Sequence, residues 1–396
     1  MNDAHGLEHE KLSQIPSILR DSNIDTWLVW VRETVQIRDP VLPILLGADL
    51  VWPSALLFTA AGERTAIVGT YDAEVVPSGL YERVIPYTEG IAAPLLAELD
   101  RIAPRTIAIN ESRSDVAADG LTAGMKALLE EMLAPTSHAG KLVSAERVIG
   151  RLRGRKSPLE QERIRNAVRI TEEIFDDLDG VLAVGQTERE IQQYVHRRVA
   201  ERDVGFAWQA ASNPAVDAGP NKAFGHGGPS ENRTKRGHLL HFDFGVQADG
   251  YSSDLQRMYF FGQPSEVPAE IERAFSTVRD AIRLAADALR PGIRGVDVDA
   301  VARRHVTERG YPPFAHALGH QVGRWAHDGG TLLGPAWERY GDSPYGVVEA
   351  GNVFTLELHV PTKSYGQVSL EEDVLVTETG CEFLSHPQDT LRCVAG

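Results

Sequence analysis

The spacing of apolar positions changes along the chain, and each change predicts an element. Leu12, Ile15 and Leu19 recur at helical spacing and predict a helix over Leu7–Leu19, with Pro16 placed to kink or split it. Short apolar runs at Trp27–Trp30, Ala55–Thr59, Thr65–Val68, Arg83–Tyr87 and Thr106–Ile109 are bounded by Gly, Pro, Asn or charge, as strands are. Pro94–Leu99 and Leu121–Leu133 read as helices among them, so residues 1–150 are expected to form an α/β domain. The most apolar stretch, Val41–Ala61, is broken by Pro43, Asp49 and Pro53. A bilayer span needs about 20 predominantly apolar residues, so this stretch reads as a buried strand with flanking turns.

A basic run, Arg147–Lys156, leads into Ser157-Pro158-Leu159-Glu160, a capping-box pattern with proline at the first helical position. A second domain, residues 151–396, is expected from here. One helix runs to Leu178 and another begins at Thr187, which forms a second capping box with Glu190. Strands and turns fill Ala207–Gly262. Helices then recur from Pro268 to Arg290 and from Val296 to Arg309, followed by more strand-like segments. Aligning Gly185 with Gly292 gives an offset of 292 − 185 = 107, at which Arg197, Val199, Glu201 and Arg202 fall on Arg304, Val306, Glu308 and Arg309. The expected fold of this domain is therefore α+β with an internal pseudo-duplication around one core.

Composition narrows the partners. Lys+Arg number 40 and Asp+Glu 56, a net charge of −16 over 396 residues. An excess of that sign argues against nucleic acid or an anionic membrane as partner. It leaves divalent cations open, since carboxylates are their natural ligands. Two cysteines, Cys381 and Cys393, exclude a disulfide scaffold. The first residues lack the basic and then apolar pattern of a secretory leader, so a cytoplasmic location is expected.

The chemistry-bearing residues gather in the second domain. Asp243 and Asp254 are 11 apart with Asp249-Gly250 between them, a hairpin signal that would bring both carboxylates together. Adjacent carboxylates raise each other's pKa, and a cation removes that repulsion. His316, His320 and His327 lie within twelve residues among glycines. Glu357 and Glu371 sit in apolar strands, where an uncompensated charge is costly.

In this order the residues resemble the pita-bread metallopeptidases, the family of methionine aminopeptidase, aminopeptidase P and prolidase. The N-terminal domain resembles the accessory domain of the prolidase, aminopeptidase P and creatinase branch. The resemblance implies that Asp243, Asp254, His320, Glu357 and Glu371 hold two divalent metals, with Mn²⁺ the best match by ligand hardness and Co²⁺ or Zn²⁺ able to bind. It further implies hydrolysis of an Xaa-Pro bond by a metal-bridging hydroxide, with Glu357 as both ligand and proton shuttle. His226 and His327 match residues that contact the substrate or the tetrahedral intermediate, and His316 a pocket-lining residue. Arg257 matches an arginine that backs the carboxylates. The implied substrate is a proline-containing dipeptide, as for a prolidase; aminopeptidase P activity on longer peptides is the alternative. A creatinase-like hydrolase or a non-catalytic binding module would have no need of the full ligand set. A homodimer is implied by the family habit, with the charged loop Arg32–Asp39 a candidate to reach a neighbour.

Four positions depart from the family pattern. Ser369 stands where an arginine two before the last glutamate is usual, Leu358-His359 replaces Pro-Gly, and Arg324 occupies a place more often apolar. Arg324 and Arg339 are then candidates, by charge alone, to anchor a substrate carboxylate.

Overall fold

The computed structural model describes residues 5–220 and 227–395. The chain divides into two units, Met1–Leu159 and Glu160–Gly396.

The first unit contains α1 (Gly6–Asp21), β1 (Thr26–Val31), α2 (Leu42–Leu45), β2 (Ser54–Thr59), β3 (Arg64–Gly69), β4 (Arg83–Tyr87), α3 (Ala92–Ile102), β5 (Ile107–Ile109), α4 (Ala123–Leu133), β6 (Leu142–Ser144) and α5 (Glu146–Gly154). Its sheet runs β4-β3-β2-β1-β5-β6, antiparallel at β1–β2 and β2–β3 and parallel elsewhere. Helices cover both faces. Trp27, Val29 and Val31 pack with Leu12 and Ile15 of α1, while Leu28 and Trp30 pack with Leu95 and Leu99 of α3 and Leu129 of α4. Burial on both sides explains why β1 reads as an unbroken apolar run rather than an alternating one. Two local expectations change. Helix α1 continues through Pro16. The stretch from Val41 opens with the short helix α2, with Pro43 in its first turn, and its strand is confined to Ser54–Thr59.

The second unit contains α6 (Pro158–Asp179), α7 (Glu188–Glu201), β7 (Gly205–Phe206), β8 (Ala215–Ala218), β9 (Leu239–Phe244), β10 (Val246–Ala248), β11 (Tyr251–Ser252), β12 (Leu255–Phe261), α8 (Ala269–Ala288), α9 (Gly295–Glu308), β13 (Val353–Pro361), β14 (Gln367–Val376), β15 (Cys381–Phe383) and β16 (Arg392–Val394). The main sheet runs β13-β14-β12-β9-β8, with β15 beside β14 and β16 beside β12. The duplication is visible in the helices. Both α7 and α9 are 14 residues long, their starts differ by 295 − 188 = 107 and their ends by 308 − 201 = 107. The Thr187 box also forms: its hydroxyl accepts from Glu190 N–H at 3.1 Å, and Glu190 Oε2 accepts from Thr187 N–H at 2.7 Å.

One face of the main sheet packs on α8. Ile271, Phe275, Val278 and Ile282 meet Phe354, Leu356 and Leu358 of β13 and Leu370 and Val374 of β14. Side chains alternate along a strand, so the even positions of β13 and β14 are committed to this core. Their odd positions, including Glu357, Ser369, Glu371 and Asp373, face the other way. No helix among the described residues is long and apolar enough to cross a membrane.

Candidate metal centre

Sheet register builds the site. Asp249 and Gly250 take φ of 51° and 74° at the turn between β10 and β11, a pair of left-handed conformations that closes a two-residue hairpin. The chain then returns as β12, antiparallel to β9, with Gln256 opposite Asp243. Gln256 is also opposite Glu371 on β14, and Glu371 is opposite Glu357 on β13. Directly opposed residues share a face, so Asp243, Gln256, Glu371 and Glu357 form one row across four strands. Asp254 precedes Gln256 by two residues and joins the same face; its N–H donates to Asp373 Oδ2 at 3.1 Å.

His320 reaches the row from a segment laid along β13. Thr355 N–H donates to His320 O at 2.9 Å and Glu357 N–H to Leu318 O at 2.7 Å. His320 N–H donates to Thr355 Oγ1 at 3.2 Å. The approach is close enough that a Cβ at Gly319 would lie 1.9 Å from Thr355 O, so only glycine fits before the histidine. His320 Nε2 ends 3.7 Å from Glu357 Oε1, 3.9 Å from Asp254 Oδ2 and 4.0 Å from Glu371 Oε1.

Burial and mutual repulsion hold these carboxyls protonated well above the usual carboxylate range, and a cation would favour their ionised forms. Desolvation, then the neighbouring Asp243, pushes Glu357 up to about 8. Burial raises Asp254 and Glu371 well above the carboxylate range, reinforced by Asp243 and Asp254 respectively. Burial, then His327, lowers His320 to about 3, leaving its nitrogen free of a proton. Asp254, His320 and Glu371 present ligand atoms all within 4.8 Å of one another. A cluster of mutually repelling carboxylates with a neutral imidazole fits one or more divalent cations by donor chemistry.

The other expected residues are placed as follows. His327 is exposed, its ring edge-on to His320 at 4.2 Å. His316 Nε2 lies 3.1 Å from His359 Nδ1, with the rings 4.9 Å apart. Arg324 stacks over Tyr251 at 5.5 Å, and Arg339 donates to Ala315 O at 2.7 Å and to Tyr340 Oη at 2.9 Å. His226 lies outside the described residues. Arg257 Nη1 donates to the Glu371 backbone O at 2.9 Å and Nη2 to Glu372 Oε2 at 3.0 Å, so its side-chain partner is Glu372 rather than one of the expected ligands.

Sequence reasoning passed over Gln256, gave His241 no role and noted Ser369 only as a departure from an arginine. Gln256 donates from Nε2 to Glu371 Oε2 at 2.9 Å and Glu357 Oε2 at 3.2 Å. Its Oε1 accepts from Ser369 Oγ at 2.5 Å and lies 2.9 Å from His241 Nε2. His241 Nδ1 in turn lies 2.9 Å from Asp217 Oδ2. The available signal was the strand period, which puts Gln256 on the face of Asp254.

The profile of metallopeptidase family M24 matches residues 162–378, more than half of the chain and the whole of the row. The chain belongs to metallopeptidase family M24. This M24 peptidase is similar to an uncharacterized peptidase of Staphylococcus haemolyticus, 28% identical over 334 residues, which span 84% of this chain and 87% of the relative. Among solved structures it is similar to an Xaa-Pro dipeptidase from Bacillus anthracis, with a TM-score of 0.73 at 19% identity over 98% of this chain and 100% of that one. It is also similar to an X-Pro aminopeptidase from Thermotoga maritima, with a TM-score of 0.71 at 21% identity over 97% and 99%. Those two likenesses show the pita-bread fold with an N-terminal domain.

The buried carboxyl cluster predicts a pH dependence of the metal-free protein. Folded Glu357 keeps its proton to about 8 while an unfolded glutamate releases it near 4.5, so raising the pH through this interval favours unfolding. His320, lowered to about 3, acts in the opposite sense, but only below its unfolded value of 6.5. Above about pH 6.5 His320 no longer opposes the carboxylates, and the exposed His386, raised by its hydrogen bond to Glu172, acts in the same sense as they do. The melting temperature of the metal-free protein is expected to fall over that range, and added Mn²⁺ to raise it most at the upper end. A flat thermal-denaturation profile from pH 6.5 to 8 would contradict the cluster's repulsion.

Proposed function

We propose that this metallopeptidase is a two-metal hydrolase of the Xaa-Pro bond that acts on dipeptides. The observation carrying the reading is the row Asp243–Gln256–Glu371–Glu357 with Asp254 and His320 beside it. Asp243, Asp254, His320, Glu357 and Glu371 would hold the cations, and their oxygen-rich chemistry suits Mn²⁺. When bound, the cations supply electrostatic polarisation of the scissile carbonyl and acidify water.

The protein residues supply the rest. Glu357 is fixed at Oε2 by the Gln256 amide, which leaves Oε1 toward His320 to take and release a proton. In the metal-free site burial and Asp243 raise Glu357 to about 8, and bound cations would favour its ionised form, ready to accept a proton from water. His327, exposed and edge-on to His320, would donate toward a substrate oxygen. The His316–His359 pair offers hydrogen bonds beside the row, and burial lowers both imidazoles, His359 to about 4.

The fold is shared about equally with the Bacillus anthracis dipeptidase and the Thermotoga maritima aminopeptidase, and so is common to both readings. One observation favours the alternative of longer peptides. Ser369, where an arginine is usual, is turned to Gln256 and to Leu358 O at 3.2 Å. A substrate without a free carboxylate after proline needs no cation there. Purified protein with added Mn²⁺ is expected to cleave Xaa-Pro dipeptides at least as efficiently as Xaa-Pro-Yaa tripeptides, and to lose both activities on chelation. Fast turnover of tripeptides with none of dipeptides would transfer the assignment to an aminopeptidase.

A further inference from the structure

The Gln256 side chain is held from both ends. Its amide nitrogen faces Glu357 Oε2 and Glu371 Oε2, and its oxygen faces Ser369 Oγ and His241 Nε2. With both glutamates ionised, as bound cations would hold them, their oxygens only accept while the serine hydroxyl can donate, so the amide has one satisfactory orientation and a flipped one that sets oxygen against oxygen. Gln256 is 7% exposed and Ser369 3%, so water cannot readily replace these partners. The same contacts sort the glutamate oxygens. Each Oε2 is taken by the amide, while each Oε1 is the atom nearest His320 Nε2. A cation at Gln256 would compete with a metal for the carboxylates, and a further carboxylate would add to their repulsion. A neutral two-proton donor orients them without doing either.

We propose that Gln256 is a positioning residue of the metal centre, holding Glu357 and Glu371 so that their Oε1 atoms converge with His320, and that Ser369 acts through it by locking the amide. This rests on the metal-centre reading above. Nothing in it requires Gln256 to touch substrate or metal. Partners that orient metal ligands typically change metal affinity 10–100-fold when removed.

The test is calorimetric titration of the full-length, metal-free chain with Mn²⁺ alone, at one pH, for wild type, Gln256→Met, Ser369→Ala and the double variant. Gln256→Met keeps much of the volume and removes the amide. It is expected to weaken Mn²⁺ binding by about 10–100-fold. Ser369→Ala is expected to weaken it less, and to add nothing once Gln256 is Met, since its effect passes through the amide. Wild-type affinity in Gln256→Met, or equal losses from Ser369→Ala in both backgrounds, would overturn the proposal. Should Gln256→Met fail to fold, Ser369→Ala decides alone: an unchanged affinity overturns the proposal and a severalfold loss supports it. Wild-type protein that takes up no Mn²⁺ would overturn the metal centre itself, an outcome distinct from a failure confined to the variants.

Discussion

Glu371→Gln is expected to lower kcat/KM by about 10³-fold or more, because the centre loses a charged oxygen donor while the side chain keeps its size. Glu371 is 2% exposed, opposite both Gln256 and Glu357. Its raised pKa marks it as a group the metal-free fold tolerates rather than one that stabilises it. The substitution removes one of several repelling carboxylates and leaves the Arg257 hydrogen bond, which goes to the Glu371 backbone oxygen, in place. The metal-free melting temperature should therefore hold or rise while Mn²⁺ uptake falls, an exchange of function against stability typical of active sites. Asp254→Asn should behave alike. Steady-state kinetics with Mn²⁺ titration and thermal denaturation check this, and wild-type turnover in either variant would refute the ligand assignment.

Gly319→Ala should damage both fold and activity. The new methyl group would meet Thr355 O at 1.9 Å, and that oxygen belongs to the backbone of β13, which cannot swing aside. The segment must instead shift outward and carry His320 with it. Overpacking of this kind destabilises by about 1–3 kcal/mol, and a displacement on the order of 1 Å in a catalytic group lowers the rate by about 10²-fold. Gly124→Ala in α4, where nothing lies within 4 Å, is the control and should be neutral or slightly stabilising. Denaturant unfolding and kcat/KM report the two effects. A Gly319→Ala protein as stable and active as the control would mean that His320 is not held by this contact.

Local features were legible wherever the determining contacts are close in sequence. The Asp249-Gly250 turn, the Thr187–Glu190 box and the 107-residue offset between α7 and α9 all depend on neighbours a few residues away or on a repeated helical pattern. The short helix α2 was missed because Pro43 opens a helical turn in a stretch whose apolar content alone suggested a strand. Arg324 was considered for its charge, yet that charge stacks on Tyr251, a contact that no spacing reveals.

From the sequence by itself came the candidate set Asp243, Asp254, His320, Glu357 and Glu371, through its resemblance to the pita-bread metallopeptidases, and the apolar strands around Asp243, Glu357 and Glu371, because a period of two fixes which side chains share a face. Only the tertiary structure decided how the set is held. Gln256 meets Glu371 across 115 residues of chain, and the glycine before His320 is required by a carbonyl 36 residues further on, 355 − 319. Strand register and close backbone approach come from pairing and packing between distant segments, and no local pattern encodes them.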